Sequence, residues 1–305
     1  MHFFPFFRIG CREKGEKDVN VKVGDLVERY SYNCDIVFRV TAVNGDEAEL
    51  LGEELRLAAD APLSDLKKIE DDDRRKLEET ARDKEEHFYK LFRQEARLMK
   101  ERSDYETSDG YKEDTSYFEM RGRVLHLDGD AFYLSKCTAL YERLGIPVYG
   151  VHLPEKEMPT QVGSLLEMVR PDILVITGHD AFLSSRGPEN EVKSYRNSKA
   201  FGQTVREARK VVPQLDQLII FAGACQSYFE WLLKAGANFA SSPERVNIHA
   251  LDPVYVAAKI SLTPFMDRVS VLQLIRHTLT GKEGLGGVET KGVLRRGLPW
   301  KEDNA

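Results

Sequence analysis

The chain has 305 residues, 42% hydrophobic and 31% charged, with 44 Lys and Arg against 50 Asp and Glu for a formal net charge of −6. That length exceeds one ordinary domain, and the hydrophobic share excludes a disordered or collagen-like chain. Mild acidity excludes a chain-wide electrostatic footprint for nucleic acid, and no run approaches the roughly 20 apolar residues that span a bilayer.

The amino terminus is aromatic (Phe3, Phe4, Phe6, Phe7), but Arg8 interrupts it before a secretory core forms. Residues 1–18 read as a tail on an intracellular protein. Residues 19–69 alternate in the β manner, with Val21, Val23, Val27, Val37, Val40 and Val43 set between turn residues Gly24-Asp25 and Asn44-Gly45-Asp46. Short strands with tight turns predict a small SH3-like β-barrel, an architecture that assigns no activity by itself.

Residues 70–119 read as a charged helix and linker. Asp71, Asp72 and Asp73 begin a helix that Lys100 and Arg102 end, as the helix dipole favours. Leu77, Ala81, Phe88, Leu91, Phe92 and Leu98 make its apolar stripe, and Glu78–Arg82 and Glu86–Lys90 are i,i+4 pairs. The polar, aperiodic stretch from Ser103 onward is the linker.

From 120 to 280 the rhythm changes to short apolar runs alternating with helices. Val124 to Leu127, Ile146 to Val151, Ile173 to Ile176 and Leu218 to Phe221 are the strands. Continuous apolar runs of this kind are parallel strands buried on both faces. The fold class is therefore α/β, an open, mostly parallel sheet flanked by helices. The last segment, 281–305, is glycine-rich and basic (Gly284, Gly286, Gly287, Arg295, Arg296) and carries no phosphate-loop pattern, so it reads as a surface-lining or flexible tail.

Cys11, Cys34, Cys137 and Cys225 are too few and scattered for a disulfide framework and lack a C-x-x-C spacing, so no structural zinc is expected and a reducing compartment is. In an open parallel sheet, chemistry gathers at the carboxyl ends of the strands. Those ends deliver Asp128-Gly129-Asp130, then His152, then Thr177-Gly178-His179-Asp180, then Ala222-Gly223-Ala224-Cys225. Cys225 follows small residues and precedes a helix-like stretch, an environment that favours the thiolate. His179, on the same rim, would complete the proton transfers of acyl transfer. The bland reading is a core cysteine, as Cys137 on its apolar helix face and Cys34 in its strand are. His249 is the reserve base, ahead of His126 and His152. Ser227 lacks a G-x-S-x-G elbow, which argues against a serine hydrolase.

The strand Ile173 to Ile176 ending in His179, with Leu218 to Phe221 ending in Ala224-Cys225, resembles the caspase–clostripain–gingipain superfamily. From Val19 to Pro299 the chain is similar to the YabG family of sporulation-specific proteases. Val23-Gly24-Asp25, Ala59-Asp60-Ala61-Pro62-Leu63, Thr177-Gly178-His179-Asp180 and Gly286-Gly287-Val288-Glu289-Thr290-Lys291-Gly292 carry that similarity. The resemblance implies a caspase-like catalytic domain and a cysteine endopeptidase that processes spore coat and other spore proteins in the mother cell cytoplasm or the assembling coat. It implies Cys225 as nucleophile, His179 as general base and acid, backbone N–H groups of Asp180 and Cys225 as oxyanion donors, and no cofactor. Asp180 stands where the superfamily has glycine. Relatives that cut after basic residues use acidic pockets, which makes Asp128, Asp130 and Asp252 candidate substrate-binding groups and Arg the expected preference. As turn residues and caps the three have an equally good explanation. The loop 184–199 is a candidate lid, or a self-cleavage site at Arg186 or Arg196. Proteins are the expected partners; membrane and nucleic acid are not. Two other readings remain: a non-catalytic spore-assembly or nucleic-acid-binding adaptor, and a small-molecule cysteine amidohydrolase.

Overall fold

The computed structural model describes residues 21–107 and 118–297, which divide after Glu85 into two compact units. The expected tail at 1–18, with Cys11, lies outside the described residues, as do 108–117 of the linker and the last residues of the chain.

In the first unit β1 (Leu26–Arg29), β2 (Val37–Asn44), β3 (Glu47–Gly52), β4 (Ala58–Pro62) and β5 (Leu66–Lys68) form one antiparallel sheet in the order β4-β3-β2-β1-β5. Asn44 and Glu47 pair across the predicted tight turn, with Gly45 at φ +63°. Val27, Phe38, Val40, Ala48 and Leu50 are buried on the inner face. Among the described residues the expected SH3-like barrel is not found closed: β4 and β5 are the sheet's two edges. Alternation reveals which side chains turn inward, not whether two edges meet. Cys34 is buried and disulfide-bonded, so it is not the expected thiol.

Helix α1 (Asp71–Thr107) runs past the expected end at Arg102. From Glu86 onward it belongs to the second unit, where Phe88 and Phe92 set their rings 4.8 and 5.2 Å from that of Tyr255. Leu91 and Leu98 are exposed, so the buried stripe is narrower than the spacing suggested. Glu78 pairs with Arg74, at 2.8 Å.

The second unit continues with β6 (Phe118–Met120), β7 (Val124–Asp128), α2 (Ala131–Leu144), β8 (Val148–His152), α3 (Met158–Val169) and β9 (Ile173–Thr177). Next come α4 (Ser198–Val211), β10 (Ile219–Ala222), α5 (Phe229–Ala235), β11 (Phe239–Ser241) and α6 (Asp252–Leu262). The last elements are β12 (Arg268–Val269), α7 (Val271–Ile275), β13 (Leu285–Gly287), β14 (Thr290–Lys291) and β15 (Arg295–Gly297). A six-stranded sheet has the order β13-β11-β10-β9-β7-β8, parallel except for the edge strand β13.

Alternate residues of the central strands supply two cores. Val124, Ile173, Val175, Ile219 and Phe221 pack with Cys137 and Tyr141 of α2 and Tyr255 of α6. Leu125, Leu127, Leu174, Ile176 and Ile220 pack with Val162 and Leu166 of α3 and Phe201 and Val205 of α4. Each such fully buried aliphatic side chain contributes about 1.5–3 kcal/mol. The glycine-rich segment expected to be a surface tail instead supplies three strands: β13 pairs with β11, β14 with β12 and β15 with β6. Among the described residues no helix is long and apolar enough to cross a membrane.

Candidate active site

β9 and β10 are parallel neighbours, and Ile176 pairs with Ala222, a register offset of 46 residues. His179 and Cys225 stand at that same offset, three residues farther along their chains. Gly223 N–H donates to Ile176 O at 3.0 Å, continuing the ladder one step past β10. Gly223 then turns the chain at φ +116°, where a Cβ would lie 2.3 Å from Ser241 Oγ, so both conformation and space demand glycine.

Cys225 occupies the tight turn that follows. Ala224 N–H donates to Ser227 Oγ at 2.9 Å, and Ser241 Oγ donates to Ala224 O at 2.8 Å. Gln226, at φ +53°, accepts from Phe182 N–H at 3.2 Å. The helix expected in the stretch after the cysteine begins at Phe229, so Cys225 precedes it by a separate turn and the thiol is not in a helical first turn. The physical reason is local: the hydrogen bonds to Ser227 and the left-handed Gln226 hold a turn that is incompatible with helix. A different donor reaches the sulfur, since Ile248 N–H points to Sγ at 3.1 Å, with Ile248 O 3.5 Å away. The thiol is fully buried beneath this segment.

His179 is held on several sides. Its ring stacks on Tyr133 of α2, with centroids 5.2 Å apart and planes at 27°. Its Nε2 lies 3.7 Å from Asp130 Oδ2. Its N–H donates to Glu155 Oε1 at 3.0 Å, and its carbonyl accepts from Asn197 Nδ2 at 2.8 Å. Asp180, next in the chain, is fully buried. Its Oδ1 accepts from Ala181 N–H at 2.9 Å and Asn197 N–H at 2.7 Å, and its Oδ2 from Ser198 Oγ at 2.5 Å and Ser227 Oγ at 2.9 Å. Burial pushes this carboxyl above its ordinary range, while those hydrogen bonds pull against the rise.

The three acidic candidates separate. Asp128 and Asp130 come together at the end of β7. Asp128 accepts from Asp130 N–H at 3.0 Å and Thr177 Oγ1 at 3.1 Å, and lies 3.4 Å from His126 Nε2. Asp130 caps α2, accepting from Phe132 and Tyr133 N–H at 2.7 and 3.3 Å. Asp252 is engaged elsewhere, by Leu279 N–H at 2.6 Å, Thr280 N–H at 3.2 Å and Thr280 Oγ1 at 2.5 Å. Burial lifts its carboxyl to about 6.

Glu155 belongs to the site and was not among the candidates. It is half-buried, and its carboxylate fills the space beside Gly129 and Gly178, where added Cβ atoms would come within 2.3 and 2.5 Å of Oε1. Burial, with Asp128 and Asp180 nearby, raises its carboxyl above the usual range. Its place just past β8 was the available signal. Of the reserve bases, His249 adjoins Ile248, whose main chain meets Cys225 Sγ, and His126 lies against Asp128. His152 is exposed, and His249 Nδ1 accepts from Leu251 N–H at 3.2 Å. His126 contacts Tyr141 Oη and Thr177 Oγ1 at 3.3 and 2.9 Å. His126, Asp128 and Cys137 bring three ligand-type atoms within 4.8 Å of one another, but each is already bound to protein groups, Cys137 donating to Ala250 O at 3.7 Å.

The loop 184–199 is fastened at one end. Tyr195 bridges to Phe182, stacks on Tyr228 at 5.1 Å and 7°, and accepts from Arg245 Nε at 2.7 Å. Arg186 is exposed, whereas Arg196 is partly buried and its N–H donates to Ala181 O at 3.0 Å.

A family model described as YabG peptidase U57 matches residues 22–299. The chain is 50% identical over 287 residues to the sporulation-specific protease YabG of Bacillus subtilis (strain 168), covering 92% of this chain and 99% of that protein. No solved structure gives a significant match. A family match of this extent, together with half the residues in common with a named protease, settles the assignment: the chain belongs to the YabG peptidase U57 family.

Proposed function

We propose that this protein is a sporulation endopeptidase of the cysteine type, with Cys225 as nucleophile and His179 as general base and acid. The observation that carries the reading is the shared 46-residue offset of the β9–β10 register and the His179–Cys225 pair, which puts the two residues at equivalent points beyond adjacent strands. The second unit is then a catalytic domain of caspase-like type, centred on residues 120–280, and the first unit an accessory domain.

In this mechanism the Cys225 thiolate attacks the scissile carbonyl carbon. Charge moves onto the carbonyl oxygen, for which the backbone N–H groups of Asp180 and Cys225 are the intended donors. His179, protonated, gives its proton to the leaving amine as the C–N bond breaks and a thioester remains. Water then attacks the thioester, His179 takes its proton, and the thiolate leaves.

The substrates in this reading are spore coat and other spore proteins, met in the mother cell or the assembling coat, since the related protease of Bacillus subtilis is named for sporulation. Cleavage after Arg is the preference that the acidic surroundings of His179 support. Asp128, at the end of β7, supplies negative charge there, and Asp252 stands apart from it.

Wild type and Cys225→Ala, each incubated with spore-protein extract, test the function: defined fragments should form only with wild type, and sequenced termini should follow Arg. Equal cleavage by Cys225→Ala would remove the cysteine mechanism. Fluorogenic peptides showing no Arg or Lys preference would remove the specificity alone.

A further inference from the structure

We propose that Asp130 is a positioning residue for His179, holding the imidazole ring and its positive charge; the proposal rests on the Cys–His reading above. The two oxygens of this carboxylate have separate tasks. Oδ1 accepts from Phe132 and Tyr133 N–H at 2.7 and 3.3 Å, capping α2 and fixing the side chain's rotamer. Oδ2 is thereby aimed at His179 Nε2, 3.7 Å away. The same helical turn contributes Tyr133, whose ring lies stacked on the imidazole. One turn of α2 therefore grips His179 by an edge and by a face.

The separation of 3.7 Å is an ion-pair distance, longer than a hydrogen bond, and catalytic contacts of this kind tighten when substrate binds. The other ionisable groups around His179 have different engagements. Glu155, from the segment after β8, accepts the main-chain N–H. Asp180 turns its carboxylate to Ser198 and Ser227. Asp128, from β7, is bound by Thr177 and lies against His126. Cys225 follows β10. Asp130 is set against a nitrogen of the ring.

The chemistry needs such a group. The imidazolium must persist until it gives its proton to the leaving amine, and a nearby carboxylate favours the charged ring. Nε2 directed to Asp130 is a second-sphere contact of the kind that sets histidine's role. This separates Asp130 from a substrate-binding role, in which it would meet the basic side chain directly.

The test is Asp130→Asn, since Asn caps a helix as well as Asp and leaves the fold intact. On a fluorogenic Arg peptide we expect kcat to fall about tenfold with little change in KM, and the alkaline limb of kcat/KM to move down by about one pH unit. Asp130→Ser, which also caps, gives a second uncharged variant and the same displaced limb. An unchanged kcat and pH profile overturns the proposal, as does a loss confined to KM for Arg substrates. Parallel Cys225→Ala and His179→Ala separate the two levels. Activity surviving in either overturns the Cys–His reading, whereas their inactivity beside a wild-type-like Asp130→Asn overturns only the role of Asp130.

Discussion

Ser227 donates its hydroxyl to Asp180 Oδ2 at 2.9 Å, joining the turn that carries Cys225 to the segment that carries His179. The same Ser227 oxygen receives Ala224 N–H at 2.9 Å, one residue before the cysteine. Asp180 in turn binds Asn197 N–H, and Asn197 Nδ2 binds His179 O. A short chain of hydrogen bonds thus links the main chain of both residues proposed for catalysis, and Asp180 and Ser227 within it are fully out of water, where an unmet partner is costly.

Ser227→Ala should therefore act on both stability and rate. It leaves Ala224 N–H and one site on a buried carboxylate without their partner, which costs about 1–3 kcal/mol. The urea midpoint should fall accordingly. Activity on peptide should fall mainly in kcat, because the cysteine turn loosens while the substrate-binding surface is untouched. A variant with wild-type midpoint and kcat would show that Asp180 and Gln226 hold the turn without Ser227.

Glu155 is predicted to work as an acceptor for His179 N–H, so geometry should matter more than charge. Glu155→Gln keeps an acceptor oxygen and removes a carboxyl that burial already penalises. It should retain activity and stability near those of wild type at neutral pH. Glu155→Ala opens a hole beside Gly129 and Gly178 and strands a backbone N–H, for a loss of about 1–3 kcal/mol. Gly178→Ala should mimic it in part, since the new Cβ would meet Glu155 Oε1 at 2.5 Å. Thermal unfolding of the three variants checks the order, and Gln behaving like Ala would mean that the charge itself is required.

Much of this arrangement was legible in the chain, for definite reasons. Ile173 to Ile176 and Leu218 to Phe221 are continuous apolar runs, and a parallel sheet with both faces covered is the structure that buries them. His179 and Cys225 could be paired because rim positions follow directly from where such runs end. Glu155 escaped because its role depends on how the segment between β8 and α3 folds over two glycines on other strands. The edge strand β13 escaped too: Leu285-Gly286-Gly287 has almost no intrinsic preference for extended structure and becomes a strand by pairing with β11. The turn between Cys225 and α5 rests on side-chain hydrogen bonds at Gln226 and Ser227 that no periodicity encodes.

Asp252 makes stability depend on pH in a defined direction. Its carboxyl is lifted by burial from 3.8 to about 6, against hydrogen bonds from Thr280 and Leu279. The folded protein thus binds this proton more tightly than the unfolded chain does. The resulting stabilisation is complete below about pH 4 and is lost as pH rises through about 6. A shift of that size corresponds to a loss of up to about 3 kcal/mol. Urea unfolding of wild type and Asp252→Asn from pH 4 to 7 isolates the effect, because other titrating groups are common to both. The wild-type free energy minus that of the variant should decline over this range; a constant difference would place the carboxyl's titration elsewhere.

Cys225 is fully buried, with Ile248 N–H at 3.1 Å from Sγ and Ile248 O at 3.5 Å. A scissile carbonyl can reach the sulfur only after local opening, and the segment 247–249, which meets Sγ through Ile248, is the part predicted to move. Gln226 Nε2 holds Asn247 Oδ1 at 3.2 Å, and His249 N–H holds Thr280 Oγ1 at 2.9 Å, so the segment is anchored on either side of Ile248. Alkylation of Cys225 by iodoacetamide should accordingly be at least about tenfold slower in the folded protein than in denaturant, as expected for a thiol reached only through local opening. Asn247→Gly, which removes one anchor, should speed the labelling without altering that of the buried Cys137, and peptide mass analysis distinguishes the two sites. Fast labelling of Cys225 in the folded wild type, unaffected by Asn247→Gly, would show that the segment is already open in solution and that access to the thiol is not gated there.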